Sequence, residues 1–207
     1  YFWNNIKTKR NHRLILNLLF FSNNKKKLNE LRGLFFKQKI KIIDLNNFPK
    51  VVEPKENGRT FAENAKIKSK YGYNQFKIPC FSDDSGICIN ALKGRPGVKS
   101  KRYFSNFKNK KELFNHIISE AKHFQNFDAY FITTICLTLK KGHYIFFEGK
   151  ICGKISNRPK GVNGFGYDPI FIPKYEKKTF AEMSIYKKNQ LSHRAIAIRK
   201  MINFLSS

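Results

Sequence analysis

The run Leu14–Phe21 constrains the fold of this chain more than any other segment. It contains eight residues, all apolar except Asn17. A short, continuous apolar run of this length predicts a buried β-strand. The polar segment Ser22–Lys27 follows, and apolar residues then recur at helical spacing at Leu28, Leu31, Leu34 and Phe35. The chain is therefore predicted to open with a strand, a polar turn and a helix.

Strands and helices alternate along the rest of the chain. Thr60 and Glu63 fit a capping box, which predicts that a helix begins after Thr60. The segment Lys140–His143 separates two β-prone runs and predicts a hairpin turn. Further helices are predicted over Leu113–Phe124 and Ser192–Phe204, and strands over Ile40–Leu45, Ile78–Phe81, Ile87–Ile89, Tyr130–Leu139, Tyr144–Phe147, Gly149–Ile155 and Pro169–Ile172. This order predicts an α/β class with a mixed sheet and flanking helices.

The 207 residues carry a formal net charge of +27. A field this positive attracts polyanions, and a basic nucleic-acid-binding protein is one interpretation. The lysines are scattered rather than gathered in one stripe, which argues against nucleic acid as a partner. The other interpretation is compositional: an AT-rich genome over-supplies Lys, Asn, Ile and Phe, and the charge then needs no binding role.

The domain organisation is predicted to be simple. Residues 1–13 are basic and are expected to form a poorly ordered extension, and residues 14–207 one domain. No apolar stretch approaches the roughly 18 residues of a membrane span. The cysteines lack zinc-site spacing and are expected to be reduced, as in the cytoplasm; they are Cys80, Cys88, Cys136 and Cys152.

The polar segment after the first strand is a candidate phosphate-binding loop. A loop that opens a helix presents backbone N–H groups and the positive end of the helix dipole. Lys27 could add a full positive charge. The other interpretation is a solvated basic face. The candidate residues are Ser22, Asn23, Asn24, Lys25, Lys26 and Lys27.

Adjacent carboxylates at Asp83 and Asp84 form a second candidate site, followed by Ser85 and Gly86. Two carboxylates at the end of a buried strand are costly unless a cation neutralises them. Mg2+ suits such a place, because it binds one or two carboxylates together with waters and substrate phosphates. A turn whose Asp caps the backbone is the alternative.

Two further segments are candidates for recognising a nucleobase. The loop Gly161–Asp168 contains three glycines that permit close approach to a ligand, and Phe165 offers a ring for stacking. An ordinary hairpin loop is the alternative. Near the C-terminus, Lys188 and Ser192–Arg194 supply donors that could pair with a purine oxo group. The alternative is a capped helix with exposed basic residues.

Taken in order, these segments resemble the inosine triphosphate pyrophosphatase family. Members of that family carry Thr-Gly-Asn-x-x-Lys, Thr-Phe-x-Glu-Asn-Ala, Asp-Asp-Ser-Gly, Gly-Gly-x-Pro-Gly with Ser-x-Arg-Tyr, Gly-Phe-Gly-Tyr-Asp-Pro and Ser-His-Arg. The corresponding segments here are Ser22–Lys27, Thr60–Ala65, Asp83–Gly86, Gly94–Gly97 with Ser100–Tyr103, Gly164–Pro169 and Ser192–Arg194. The resemblance extends from about Leu14 to the C-terminus.

The resemblance implies an elongated mixed sheet with two lobes around a nucleotide cleft. It also implies a cytoplasmic, Mg2+-dependent homodimer that hydrolyses ITP, dITP and XTP to the monophosphate and pyrophosphate. Asp84 resembles the metal ligand and general base, and Ser85 a substrate contact. Ser22–Lys27 resemble the triphosphate loop. The base-recognition positions are matched by Phe165, Gly166, Tyr167, Asp168, Lys188, His193 and Arg194.

The chain departs from the family pattern in two places. Asn23 and Lys26 replace glycines of the phosphate loop. Lys55 stands where a second metal-binding Glu is expected, so Glu53 or Glu56 is the candidate substitute. These departures leave open a catalytically silent relative that still binds nucleotide.

Overall fold

The computed structural model describes residues 7–10, 13–36, 38–49 and 51–207. Within these ranges the chain forms strands β1 to β7 and helices α1 to α6. The strands are β1 Lys7–Arg10, β2 Arg13–Phe20, β3 Ile40–Asp44, β4 Cys80–Ile89, β5 Asp128–Lys140, β6 His143–Ile155 and β7 Phe171–Pro173. The helices are α1 Lys25–Phe35, α2 Phe61–Phe76, α3 Ser100–Phe104, α4 Lys110–His123, α5 Ile185–Leu191 and α6 His193–Ser206.

The strands form one mixed sheet in the order β1-β2-β4-β5-β6-β7, with β3 also pairing with β2. β2 runs parallel to both β3 and β4. The β1–β2 and β6–β7 pairs are antiparallel. This arrangement confirms the predicted α/β class and mixed sheet.

The chain divides into two compact units. The first comprises the described residues of Tyr1–Asp84 together with Thr134–Phe147 and Ile198–Ser207, and the second comprises Ser85–Thr133 and Glu148–Ala197. A core cluster of the first unit contains Leu19, Phe21, Leu45 and Cys80. In the second unit, buried side chains from α4, β5 and the segment around β7 form a larger cluster that includes Ile117, Phe131, Phe171 and Phe180.

The predicted opening is confirmed, since β2 and α1 follow the apolar run and the helical spacing. β4 corrects the prediction, because the two short strands expected on either side of the Asp-Asp-Ser-Gly segment are one continuous strand. The alternative of a turn at Asp83 and Asp84 is therefore wrong. The physical reason is that Lys27 bonds to the Asp83 carboxylate and Asn64 to the Asp84 carboxylate, so both are accommodated within the strand.

The helix predicted after Thr60 is confirmed, but its cap is only half of a capping box. Oγ1 of Thr60 accepts a hydrogen bond from the backbone N–H of Glu63, whereas the Glu63 carboxylate accepts from the N–H of Arg59. The hairpin is confirmed between β5 and β6, with Gly142 at φ 80° in its turn. The two strands predicted over Tyr144–Phe147 and Gly149–Ile155 are one continuous strand, β6.

Part of the predicted N-terminal extension lies outside the described residues, namely 1–6 and 11–12. Lys7–Arg10 form β1, which pairs with β2. The four cysteines are free thiols. Among the helices of the described ranges, none combines the length and the apolarity needed to cross a bilayer.

Candidate active site

The loop between β2 and α1 is organised by Asn24, which caps the helix. Its Oδ1 accepts hydrogen bonds from the backbone N–H groups of Lys26 at 3.1 Å and Lys27 at 3.2 Å. The N–H of Asn23 donates to Oε1 of Glu53. The amides of the predicted phosphate loop are therefore partly engaged by acceptors of the chain itself, which hold the loop in place at the helix start.

Lys27 differs from the two lysines before it. Its Nζ lies 3.0 Å from Oδ1 of Asp83, and its side chain is largely buried. Lys25 and Lys26 are exposed. The interpretation of this segment as a solvated basic face fits Lys25 and Lys26, whereas Lys27 belongs to a buried charge cluster.

The adjacent carboxylates lie within β4, where they are almost fully buried: Asp83 is 1% exposed and Asp84 is 8% exposed. Successive side chains of a strand point to opposite faces, so the two carboxylates have different partners. Asp83 bonds to Lys27. Oδ2 of Asp84 accepts a hydrogen bond of 3.0 Å from Nδ2 of Asn64.

Two residues of α2 approach this pair, and neither is among the candidates predicted from the sequence. Asn64 and Lys68 are one helical turn apart and are both buried. Nζ of Lys68 donates to the backbone oxygen of Asp83 at 2.7 Å and lies 3.4 Å from Oε1 of Glu56. A buried lysine is rare unless it is paired. The available signal was the i, i+4 spacing of two polar residues on the face of α2 that also carries Ala65 and Gly72.

Burial raises the pKa of the Asp84 carboxyl above its ordinary value. Lys68, Lys27 and the hydrogen bond from Asn64 oppose this shift, and Glu56 adds to it. An ionised Asp84 is therefore disfavoured by its surroundings and gains from a further cation nearby. A buried carboxyl with a perturbed pKa beside lysines is typical of a functional site.

Lys55, Glu53 and Glu56 lie near the position expected for a second metal-binding carboxylate, and their surroundings differ. Lys55 is exposed. Glu53 is engaged with the backbone of Asn23. Glu56 contacts Lys68 and is close enough to Asp84 to raise the pKa of that carboxyl. Glu56 is thus better placed than Glu53. No cluster of three or more His, Cys, Asp or Glu side chains suited to a metal ion occurs within residues 7–10, 13–36, 38–49 and 51–207.

In the second unit, Asp168 holds the glycine-rich loop together. Its buried Oδ2 accepts from the backbone N–H of Phe165 at 2.7 Å and from Nζ of Lys188 at 2.6 Å. Gly164, at φ 71°, passes so close that a Cβ there would lie 2.1 Å from the same Oδ2. Only glycine is compatible with this approach. Asp168 thus orders the loop, which connects the antiparallel strands β6 and β7.

Phe165 presents its ring to two cations. Nζ of Lys188 lies 4.8 Å from the ring centroid and Cζ of Arg194 lies 5.7 Å from it, both within cation–π range. Gly166 follows at φ 62°. The Tyr167 hydroxyl donates to the backbone oxygen of Ser100, and its ring is buried in the core. Tyr167 therefore anchors the loop.

Ser85 and the start of α6 carry the remaining candidate residues of the second unit. Oγ of Ser85 shares a hydrogen bond of 2.7 Å with Oγ1 of Thr133 and accepts one of 3.1 Å from Nη2 of Arg194. The ring of His193 stacks on Phe131, with centroids 4.7 Å apart and planes 8° apart. Lys188, His193 and Arg194 are buried, so the alternative of exposed basic residues is wrong. Sequence reasoning missed Thr133 and Phe131, which lie in a β-prone run without a motif.

Comparison with known proteins shows what the chain as a whole is similar to. The model of the Ham1 family matches residues 18–204. A dITP/XTP pyrophosphatase of Christiangramia forsetii is 37% identical over 191 residues, covering 92% of this chain and 100% of the relative. One from Porphyromonas gingivalis is 38% identical over 191 residues, covering 91% and 96%. The solved structure of a HAM1 protein from Coxiella burnetii has a TM-score of 0.81 at 34% identity, covering 93% of this chain and 99% of that one.

Proposed function

This chain belongs to the Ham1 family, and on that premise we propose that it hydrolyses the noncanonical purine nucleotides ITP, dITP and XTP to the monophosphate and pyrophosphate. Relatives named for this activity match the chain over nearly their whole length. The observation that carries the proposal is Asp84, a buried carboxyl with a raised pKa beside Lys27 and Lys68. This combination suits a phosphoryl transfer reaction, which depends on positioning and charge neutralisation.

The first unit contains the residues suited to a triphosphate. Lys27 and Lys68 supply two largely buried ammonium groups close to Asp84. Lys27 already pairs with Asp83 and Lys68 with Glu56, so a bound cation is needed beside them to balance the charge of a triphosphate. The exposed Lys25 and Lys26 would add a weaker, salt-sensitive attraction.

The carboxylates of Asp84 and Glu56 fit Mg2+, which prefers oxygen ligands and keeps waters and substrate phosphates among them. The fit is supported by the cost of an ionised Asp84, which burial disfavours. When bound, Mg2+ would supply charge neutralisation for these carboxylates and for the triphosphate. The departure at Lys55 is then no obstacle, because Glu56 provides the second carboxylate.

In the proposed reaction, the oxygen of a water molecule forms a bond to the α-phosphorus. The bond between the α-phosphorus and the oxygen that bridges to the β-phosphorus breaks, and pyrophosphate leaves. Asp84 accepts the proton of the attacking water as general base. Lys27 and Lys68 balance the negative charge of the leaving pyrophosphate.

The second unit contains the residues suited to the base. The Phe165 ring offers a stacking surface with the donors Lys188 and Arg194 beside it, and His193, stacked on Phe131, is a further donor of this unit. A 6-oxo group accepts hydrogen bonds from such donors, whereas the adenine amino group would set a donor against them. A buried hydrogen bond lost in this way costs about 1–3 kcal/mol, or roughly tenfold to a hundredfold in discrimination.

The decisive experiment measures pyrophosphate release from ITP, XTP, dITP, GTP and ATP, each with Mg2+ and with EDTA. We expect metal-dependent release that strongly favours ITP, dITP and XTP. A folded protein that releases no pyrophosphate from any of them would contradict the proposal and favour a silent nucleotide-binding relative. Tight, salt-sensitive binding to random DNA without turnover would instead favour a nucleic-acid-binding protein.

Two properties of the whole protein also belong to the proposal. The resemblance to the family supports a cytoplasmic homodimer. Sedimentation equilibrium at micromolar concentration should give twice the chain mass of 24.3 kDa. A mass that stays at the monomer value while the enzyme is active would contradict the dimer.

A further inference from the structure

A single buried side chain connects Asp84 to the loop before α2. Oδ1 of Asn64 accepts a hydrogen bond of 2.8 Å from the backbone N–H of Gly58. Nδ2 of the same amide donates at 3.0 Å to Oδ2 of Asp84. Asn64 is 1% exposed, so water does not compete for either bond.

These two bonds fix the orientation of the amide. The backbone N–H of Gly58 can only donate, so the oxygen of Asn64 must face it. The amino group must then face Asp84, which accepts as a carboxylate. The two ends of the Asn64 amide are thus assigned by their partners, and a rotated amide would place a donor against a donor and an acceptor against a carboxylate.

The backbone of Gly58 lies so close to Asn64 that there is no room for a side chain at this position. A Cβ at Gly58 would lie 2.7 Å from Oδ1 of Asn64 and 2.7 Å from Cβ of Glu63. A side chain there would force the loop away from the helix and lengthen the bond to Asn64. The contact holds in place the loop that also carries Glu56, the second candidate carboxylate.

We propose that Asn64 is a positioning residue, whose amide fixes the plane of the Asp84 carboxylate and ties it to the loop bearing Glu56. The inference rests on the proposed function and extends it, because it names the residue that holds the two candidate metal-binding carboxylates in a fixed relative position. Asn64 acts through Asp84 and Gly58. A merely structural role, in which Asn64 braces the start of α2, makes a different prediction.

The test compares Asn64→Leu, similar in size but without polar atoms, with Thr60→Ala. Thr60 caps the same helix by accepting from the N–H of Glu63, so its loss weakens α2 without touching Asp84. For each protein, Mn2+ affinity is measured by electron paramagnetic resonance in the presence of a nonhydrolysable α,β-imido analogue of ITP. Steady-state rates with ITP and Mg2+ are measured in parallel.

We expect Asn64→Leu to weaken Mn2+ binding and to lower kcat by about 10- to 100-fold, as for residues that orient metal ligands. KM for ITP should change less than about threefold, since the triphosphate and base contacts are retained. Thr60→Ala should leave Mn2+ binding unchanged. Mn2+ affinity and kcat within twofold of the native values in folded Asn64→Leu would overturn the proposal.

Two further measurements guard against a variant that does not fold. Gly58→Ala should weaken Mn2+ binding in the same direction by a smaller factor, because it displaces Asn64 instead of removing it. In the native protein, the side-chain amide resonance of Asn64 should shift when Mg2+ and the analogue are added, while that of the exposed Asn115 should not. An unshifted Asn64 resonance would also overturn the proposal. These binding measurements decide the role of Asn64 even if the native protein does not hydrolyse ITP.

Discussion

Nζ of Lys27 lies 3.0 Å from Oδ1 of Asp83, so the lysine assigned to the triphosphate is held by the first of the two adjacent carboxylates. The Asp83 side chain is almost inaccessible to solvent, and it comes from β4, whereas Lys27 comes from the start of α1. The pair therefore joins two elements of the first unit and fixes the position of the Lys27 ammonium group.

Replacing Lys27 with Met should harm both stability and turnover. The change removes a cation from a buried carboxylate, which typically costs roughly 3–5 kcal/mol. We expect kcat/KM for ITP to fall at least about 100-fold as the phosphate contact is lost. Chemical denaturation and steady-state kinetics measure the two effects, with Lys70→Met, at an exposed position outside the loop, as the matched control.

The double variant Lys27→Met with Asp83→Asn separates the two roles of Lys27. Stability should recover in large part, because no buried carboxylate remains without Lys27. Turnover should stay low, because the cation is still missing. Recovery of turnover together with stability would show that Lys27 serves only the fold.

Asp84→Asn should abolish turnover while leaving the protein folded. Burial raises the pKa of Asp84 above its ordinary 3.8, so without metal the folded protein favours the protonated carboxyl. The folded state therefore loses stability as the pH rises through that raised pKa and Asp84 ionises. At pH 7.5 in EDTA, the asparagine variant should therefore melt at the same temperature as the native protein or higher. Substantial turnover in this variant would refute the assignment of Asp84.

His193→Ala should reduce the selectivity for ITP over ATP. The imidazole is fixed by stacking on Phe131 and belongs to the donor set assigned to the base. Its loss should lower the ratio of kcat/KM values about tenfold or more, mainly through weaker use of ITP. Tyr186→Ala, at a position 75% exposed, is the control. An unchanged ITP-to-ATP ratio would show that His193 has no part in recognising the base.

Stability should fall at alkaline pH. Burial raises the pKa of Cys80 above 9.0, and that of Cys136 shifts in the same direction. A hydrogen bond with Cys88, together with burial, raises the pKa of Tyr130 to about 12. From about pH 9 upward the unfolded chain releases protons that the folded chain retains, so the free energy of unfolding decreases as pH rises.

Denaturation under reducing conditions from pH 8 to 10.5 measures this decrease. Cys80→Ala should lower stability at pH 8, because it leaves a cavity in the core, but should flatten the decline above pH 9. Cys152→Ala, at an exposed position, should leave the slope as it is. A native protein equally stable at both ends of this range would contradict the prediction.

Local patterns predicted much of the fold. The apolar run of β2, the helical spacing of α1 and the turn residues of the hairpin act through near neighbours, and the corresponding elements are present. β4 was predicted less well, because Asp and Ser favour turns in most sequences. Here the carboxylates stay in the strand because partners far away in sequence, Lys27 and Asn64, compensate them.

The candidate site shows the same limit. Motifs made Asp84 and Lys188 candidates, because their neighbours along the chain are distinctive. Lys68 and Asn64 were not predicted, because only the fold brings Lys68 to Glu56 and Asn64 to Asp84. The choice of Glu56 over Glu53 likewise depends on the contact of Glu56 with Lys68, which spacing along the chain does not reveal.

The boundary between the two units falls between Asp84 and Ser85. The candidate residues for phosphate chemistry precede it, and those for the base belong to the other unit. The residues proposed for hydrolysis and those proposed for base recognition thus belong to two separately packed units. Base preference is therefore expected to be changeable by substitutions in the second unit that leave every residue proposed for hydrolysis in place.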